Sequence, residues 1–290
     1  MTEIVERSWT SHDGLRLSAR DHMGAQGPAR LPVVLLHGLT RNARDFEEVA
    51  PPIAASGRRV LAVDVRGRGR SAWSPDPASY APPVYAADVL ALTRALGIGR
   101  AVFVGTSMGG LITLALNAMS PGLVAAATIN DVGPVIGAEG LARIMSYAGG
   151  GAPVETWADA AAYASRINGS AFPDADAAHW DAFARRIFRE GDDGRPVLDY
   201  DPDIGAAFRT APTGPAPDLW PLWDALAADS RPLLLVRGAL SDVLEPQTAD
   251  EMARRAPQLR RAEVARVGHA PMLTEPEARD ALAAFFAEVD

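Results

Sequence analysis

Gly105-Thr106-Ser107-Met108-Gly109 puts a hydroxyl between two residues without side chains. The apolar run Ala101–Val104 leads into it and the helix-like Leu111–Leu116 follows, so Ser107 stands at a strand-to-helix hinge, the nucleophile-elbow arrangement. A turn this tight crowds strand against helix, and glycine two residues before and after the serine relieves the crowding. It lifts the hydroxyl clear of a sheet and aims the Met108 amide, at a helix N-terminus, toward the group attacked.

A serine hydroxyl needs a base to take its proton, and the chain has five histidines. His12 and His22 fall near an N-terminal hairpin and read as surface residues. His179, beside Trp180, reads as an exposed helix residue. His37 directly follows a buried strand and reads as a hydrogen-bonder that shapes its loop, with substrate contact as the other role. His269, in Val267-Gly268-His269-Ala270-Pro271, is held on a loop after the last strand and is the expected base. The orienting carboxylate must lie on the same sheet edge. Asp242, beyond Leu233–Val236, and Asp131, beyond Ala125–Ile129, both meet that condition. An oxyanion needs a second donor besides Met108. The loop His37-Gly38-Leu39-Thr40 offers the Leu39 amide, with Gly38 permitting close approach.

These residues need a scaffold that brings strand ends together. Val33–Leu36, Val60–Val63, Ala101–Val104, Ala125–Ile129 and Leu233–Val236 are short apolar runs that fit strands buried on both faces. Ser8–Arg20 alternates around Asp13-Gly14, a hairpin signal, and Val264–Val267 reads as the last strand. Helical patterns cover Asp45–Ser56, Tyr85–Leu96, Met108–Met119 and Pro246–Arg255. A C-terminal helix opens at Thr274–Glu277 and runs through Val289. Alternating strands and helices predict an α/β domain with a mostly parallel sheet and helices on both faces. The rhythm breaks between about 135 and 220, which predicts a helical insertion with Asp192-Asp193-Gly194 as a turn. The expected organisation is a core of residues 1–134 and 221–290 and a lid of 135–220. Met145, Trp157, Phe172, Trp180 and Phe183 are its candidate substrate contacts, each also a candidate for packing the lid.

The 290 residues are 48% apolar, carry a formal charge of −8 and include no cysteine. The acidic balance argues against a nucleic-acid surface, and the lack of thiols excludes disulfides and thiolate chemistry. No run of about 20 apolar residues spans a bilayer and no signal-peptide pattern opens the chain, so a cytoplasmic protein without a membrane partner is expected. Gly67-x-Gly69 after a strand has the look of a dinucleotide loop, yet Trp73–Pro77 does not read as the helix that would hold a pyrophosphate. No cofactor and no metal are expected.

Five motifs in order carry a family resemblance: His37-Gly38, Asp64-x-Arg66-Gly67-x-Gly69-x-Ser71, Gly105-x-Ser107-x-Gly109, Gly238-x-x-x-Asp242 and Gly268-His269. With them the chain resembles the α/β-hydrolase superfamily over nearly its whole length. The resemblance implies an eight-stranded sheet with a helical cap over Ser107. The order Ser107, Asp242, His269 matches the Ser…Asp…His order of that superfamily. Asp242 is therefore the preferred orienting acid and Asp131 the alternative. The implied activity is hydrolysis of small to medium carboxylic esters, extending to lactones, through an acyl-enzyme. The alternative is cleavage of a carbon–carbon bond in a β-diketone or ring-fission product by the same triad. A ligand-binding receptor and a cofactor-free oxygenase are the more distant readings.

Overall fold

The computed structural model describes residues 3–25, 30–150, 154–209 and 217–289. The chain opens with β1 (Ile4–Thr10) and β2 (Arg16–His22), followed by β3 (Val33–Leu36), α1 (Ala50–Ala55), β4 (Val60–Asp64) and α2 (Pro82–Ala95). Next come β5 (Ala101–Thr106), α3 (Met108–Met119) and β6 (Val124–Asn130). The stretch after β6 holds α4 (Ala138–Tyr147), α5 (Trp157–Asn168), α6 (Ala177–Ile187), β7 (Phe188–Glu190), β8 (Pro196–Leu198) and α7 (Ile204–Arg209). The chain then returns through α8 (Trp220–Ala227), β9 (Leu233–Gly238), α9 (Pro246–Arg255), β10 (Leu259–Val264) and α10 (Pro276–Glu288).

Eight strands form one sheet in the order β1-β2-β4-β3-β5-β6-β9-β10. The β1–β2 and β2–β4 pairs are antiparallel and the remaining pairs are parallel. The apolar runs alternate between two cores, as a strand's period of two requires. Val34, Leu36, Leu61, Val63 and Phe103 face the layer of α2, α3, α8 and α9, while Val33, Leu35, Val60, Ala62, Val102 and Val104 face α1 and α10. The Asp13-Gly14 hairpin forms as expected: Ser11 donates its N–H to the Leu15 carbonyl at 2.9 Å, and Gly14 takes φ +86°.

Four expectations change. The last strand is Leu259–Val264 rather than Val264–Val267. It pairs only with β9 at the sheet edge, so Arg260, Arg261 and Glu263 face outward and no apolar run marks it. The helix expected over Asp45–Ser56 divides into a 3-10 turn, Ala43–Phe46, and α1, because Pro51 and Pro52 suit a first helical turn and not an interior. The 135–220 stretch is not purely helical, since β7 and β8 form a small antiparallel ladder around the predicted Asp192–Gly194 turn. Finally, His22 is buried, because β2 lies inside the sheet between β1 and β4.

That stretch builds its own apolar cluster from Tyr163, Phe172, Trp180, Phe183, Ile187 and Phe188. Trp223, by contrast, is fully buried against the main core, where α8 packs on α3.

The elbow is the tightest point of this packing. A Cβ on Gly105 would run into the backbone of Gly109 and Gly110, and one on Gly109 into the Leu36 carbonyl. Gly105→Ala is therefore expected to destabilise the protein by about 3 kcal/mol or more. Gly99, which has open space around its α-carbon, should tolerate alanine within about 1 kcal/mol. Urea unfolding of both variants checks this, and equal midpoints would refute it.

Candidate active site

Parallel register brings the strand ends to one edge: Leu36 pairs with Gly105, Thr106 with Asn130, and Asn130 with Val236. The residues just beyond these ends therefore meet. Ser107 adopts φ 53° and ψ −116°, a strained conformation for a residue with a side chain. Its N–H donates to the Asn130 carbonyl at 2.8 Å, and its own carbonyl accepts from Gly110 N–H at 2.8 Å. The hydroxyl thus projects from a fixed turn.

The Ser107 hydroxyl lies 2.8 Å from His269 Nε2, and His269 Nδ1 lies 2.8 Å from Asp131 Oδ2. The structure thereby corrects the preferred acid: the carboxylate on the imidazole is Asp131 and not Asp242. Asp131 is fully buried, and its oxygens also accept from Gly238 N–H at 2.9 Å and from the Ser241 hydroxyl at 2.7 Å. Asp242 is turned the other way, into a two-pronged pairing with Arg143 at 2.7 Å for each bond. Burial works against the Asp242 charge, yet Arg143 holds its carboxyl below the ordinary range, and His269 lies close enough to add to that. Nδ1 carries one proton and takes one acceptor; the buried, preorganised carboxylate has it.

Met108 begins α3 directly after Ser107, and Leu39 lies in a loop that lines a cavity containing Ser107 and His269. A Cβ on Gly38 would sit 3.7 Å from Ser107 Cβ, so that loop passes directly beside the hydroxyl. Asn130 fastens the opposite side, its Nδ2 donating to the Pro271 carbonyl at 2.8 Å.

His37 is not a substrate contact. It is fully buried, and Nε2 accepts from Val65 N–H at 3.0 Å, which leaves the proton on Nδ1 to donate to the Gly38 carbonyl at 2.7 Å. Burial pushes its pKa down to about 3, so it works as a neutral strut beneath the loop.

Of the five candidate contacts in the 135–220 stretch, Phe172 and Phe183 line the cavity that contains Ser107 and His269. Met145 faces outward, 44% exposed. The Trp157 ring lies under the Arg185 guanidinium at 3.7 Å. Trp180 packs edge-on against Phe172 in the separate cluster. His179 is half-buried against Phe172, Trp180 and Phe183, not exposed as expected. The cavity is completed by residues the sequence did not single out: Arg41, Ile144, Tyr147, Ile167, Asn168 and Ile187. Ile144 and Tyr147 share one face of α4 at a three-residue spacing, a signal visible only once that face has a partner.

At the Gly67–Gly69 loop the first arginine is engaged by carboxylates of the chain itself. Arg66 is buried and grips buried Asp88 at 2.6 Å and exposed Asp13, in the hairpin turn, at 2.7 Å. His12, Asp13 and Asp88 bring three metal-ligating atoms together among the described residues, yet Arg66 already supplies the charge those carboxylates need.

The α/β hydrolase fold model matches residues 32–276. The chain belongs to the α/β-hydrolase fold family. It is 36% identical to a 3-hydroxybutyrate-oligomer hydrolase of Cupriavidus necator, over 91% of this chain and 90% of that one. It is 31% identical to an esterase of Mycobacterium tuberculosis, over 85% of this chain and 79% of that one. A crystal structure of an α/β hydrolase from Novosphingobium aromaticivorans superposes with a TM-score of 0.92 at 46% identity, covering both chains completely. The chain is an enzyme of this family, with relatives named as hydrolase and esterase. Among the described residues no helix is long and apolar enough to cross a membrane.

The neutral His37 strut has a consequence for stability. Its folded pKa lies below the ordinary 6.5, so the unfolded chain takes up a proton first as the pH falls. Stability is complete above about pH 6.5 and is lost progressively down to about pH 3. Between pH 7.5 and 4.5 the wild type should lose about 3 kcal/mol more than His37→Gln, which keeps a donor and an acceptor but does not titrate. Urea unfolding at the two pH values measures this, and parallel losses in the two proteins would contradict it.

Proposed function

We propose that the chain hydrolyses small carboxylic esters through an acyl-enzyme on Ser107, with His269 as base and Asp131 as orienting acid. The observation that carries this reading is the unbroken line from the Ser107 hydroxyl to His269 and on to buried Asp131, at 2.8 Å for each step. His269 Nε2 takes the hydroxyl proton as Ser107 Oγ bonds to the ester carbonyl carbon. Asp131 keeps the imidazole in its Nδ1–H form and stabilises the cation that results. The carbonyl oxygen becomes an oxyanion received by the amides of Met108 and Leu39, each such donor contributing about 10²–10³ in rate. The intermediate collapses, the alkoxide leaves with the proton held by His269, and the acyl group stays on Ser107. Water, deprotonated by His269, then attacks the acyl carbon and releases the acid and free serine.

The segment 135–220 serves as the lid, with 1–134 and 221–290 as the core. Support comes from Ile144, Tyr147, Ile167, Phe172, Phe183 and Ile187, which line the cavity over Ser107 from that segment. The relative from Cupriavidus necator is named for oligomers of a short hydroxy acid, and we extend that substrate class to this chain: esters joining short hydroxy acids, with the corresponding lactones as cyclic variants.

Turnover of p-nitrophenyl butyrate and of a hydroxybutyrate dimer tests the mechanism. Ser107→Ala should abolish both, and survival of wild-type turnover in that variant would sink it. Asp131→Asn should lower kcat about 10³- to 10⁴-fold, the size expected when the histidine loses its orienting carboxylate. Asp242→Asn should cost less than about tenfold, because Asp242 acts on the imidazole only through space. The reverse ranking would return the role to Asp242.

A further inference from the structure

The helix α4 has few places to hold on. Of its ten residues only Gly140 is buried, and among the described residues it packs extensively on no other helix or strand. A helix of that length is marginal without a packed face, so its polar attachments decide where it sits. Three residues, each three apart, reach the turn after β9. Gly137 donates its N–H to the Val243 carbonyl at 2.9 Å, and Gly140 donates to the Asp242 carbonyl at 3.2 Å. Arg143 then clasps the Asp242 carboxylate through two bonds of 2.7 Å, a fork that fixes direction as well as distance. A Cβ on Gly140 would stand 2.5 Å from the Asp242 carbonyl oxygen, so helix and turn meet backbone to backbone. At the far end of α4 the Tyr147 carbonyl accepts from the Tyr200 hydroxyl at 3.5 Å, a weak bond.

What α4 carries is a wall of the site. Ile144 and Tyr147, with Ile167 of α5, line the cavity of Ser107, and the Tyr147 hydroxyl lies against the Arg143 guanidinium. Tyr147 and Ile167 also line a second cleft, with Arg143, Tyr163 and Arg166 among its other walls. The two spaces differ in size, about 70 Å³ on the Ser107 side and about 530 Å³ on the other. Room for a longer acyl chain thus lies one side chain beyond the small cavity, and the wall closes it off.

We propose that Asp242 and Arg143 are positioning residues that set the upper length of the acyl group. By clamping α4 they keep Ile144 and Tyr147 against the cavity, so that only short acyl groups fit on Ser107. The proposal rests on the ester-hydrolase reading of Ser107 and adds a length limit within it. The two strand-end aspartates then divide their work: Asp131 orients the base, and Asp242 orients the helix that bounds the substrate.

Kinetics on p-nitrophenyl butyrate and p-nitrophenyl octanoate test it. The wild type should favour butyrate. Arg143→Gln and Asp242→Asn should each raise kcat/KM for octanoate relative to butyrate about tenfold, the low end of what the fit of a methylene is worth in a pocket. The double variant should do no more than either single one, because both remove the same contact. Arg143→Lys, which keeps the charge and loses the fork, should fall between. The change should lie in KM for octanoate, whereas loss of a group on the imidazole would lower kcat for both esters. Tyr147→Ala opens the wall directly and should raise the ratio whatever holds α4. A ratio unmoved in Arg143→Gln and Asp242→Asn overturns the clamp, and one unmoved in Tyr147→Ala overturns the wall; either leaves the hydrolase reading standing. A wild type that takes octanoate as readily as butyrate overturns the length limit. Hydrolysis of neither ester by the wild type overturns the hydrolase reading itself.

Discussion

The carboxylate of Asp131 is the constraint on which the site's geometry depends. A charge sealed from water must be met by donors, since an uncompensated buried ion costs several kcal/mol. Here the donors come from three separate places: the Gly238 amide at the end of β9, the Ser241 hydroxyl in the turn beyond it, and His269 in the loop after β10. Each loop is held where its donor reaches that one group. The backbone bends to make this possible, Asp131 taking φ 58° directly after β6 while its N–H donates to the Val236 carbonyl at 2.8 Å. The imidazole therefore arrives already aimed at Ser107, and the elbow supplies a hydroxyl that is equally fixed.

The sheet was legible because its central strands are buried on both faces. A strand in that setting must be apolar at every position, and the runs at 33–36, 60–63, 101–104 and 233–236 are. Where the setting changes, the signal fades. The edge strand β10 carries two arginines and a glutamate with its outward positions in water, so its true span reads as a charged loop and its neighbour Val264–Val267 attracts the assignment. The β7–β8 ladder has three residues in each strand, too few for a period of two to register.

The site was legible in its chemistry and not in its fine aim. Ser107 and His269 were singled out by glycine spacing and by position after a strand, both of which constrain the backbone locally. Asp131 and Asp242 satisfy the same local condition, an aspartate just beyond a parallel strand, so the sequence alone does not separate them. What separates them is nonlocal. Arg143, 99 residues away on α4, draws Asp242 aside, while the residue beside it, Ser241, turns inward to Asp131. His37 illustrates the same limit. Its position beside the oxyanion loop is readable, but both ring nitrogens are already occupied by the backbone of Val65 and Gly38, and no sequence pattern reports that.

The spaced arginines after β4 divide a second task in a way that follows from their partners. Arg66 is matched by two carboxylates, Asp88 and Asp13; its charge is cancelled where it stands, and it ties the hairpin turn to α2. Arg68 is fully buried without an ion-pair partner among the described residues. Dipoles and π-faces satisfy it instead: the Leu39 and Arg66 carbonyls at 2.8 and 2.7 Å, the Tyr85 hydroxyl at 3.0 Å, and the Tyr80 and Tyr85 rings within 6 Å. Another nitrogen of the same guanidinium reaches Met108 Sδ at 3.6 Å. One cation thus touches both residues whose amides are proposed to receive the oxyanion. A neutralised arginine there would brace the loop equally well and contribute little field. Because its partners are dipoles rather than a carboxylate, the charge of Arg68 is not cancelled, and it adds to the positive end of the α3 dipole at the place where negative charge forms.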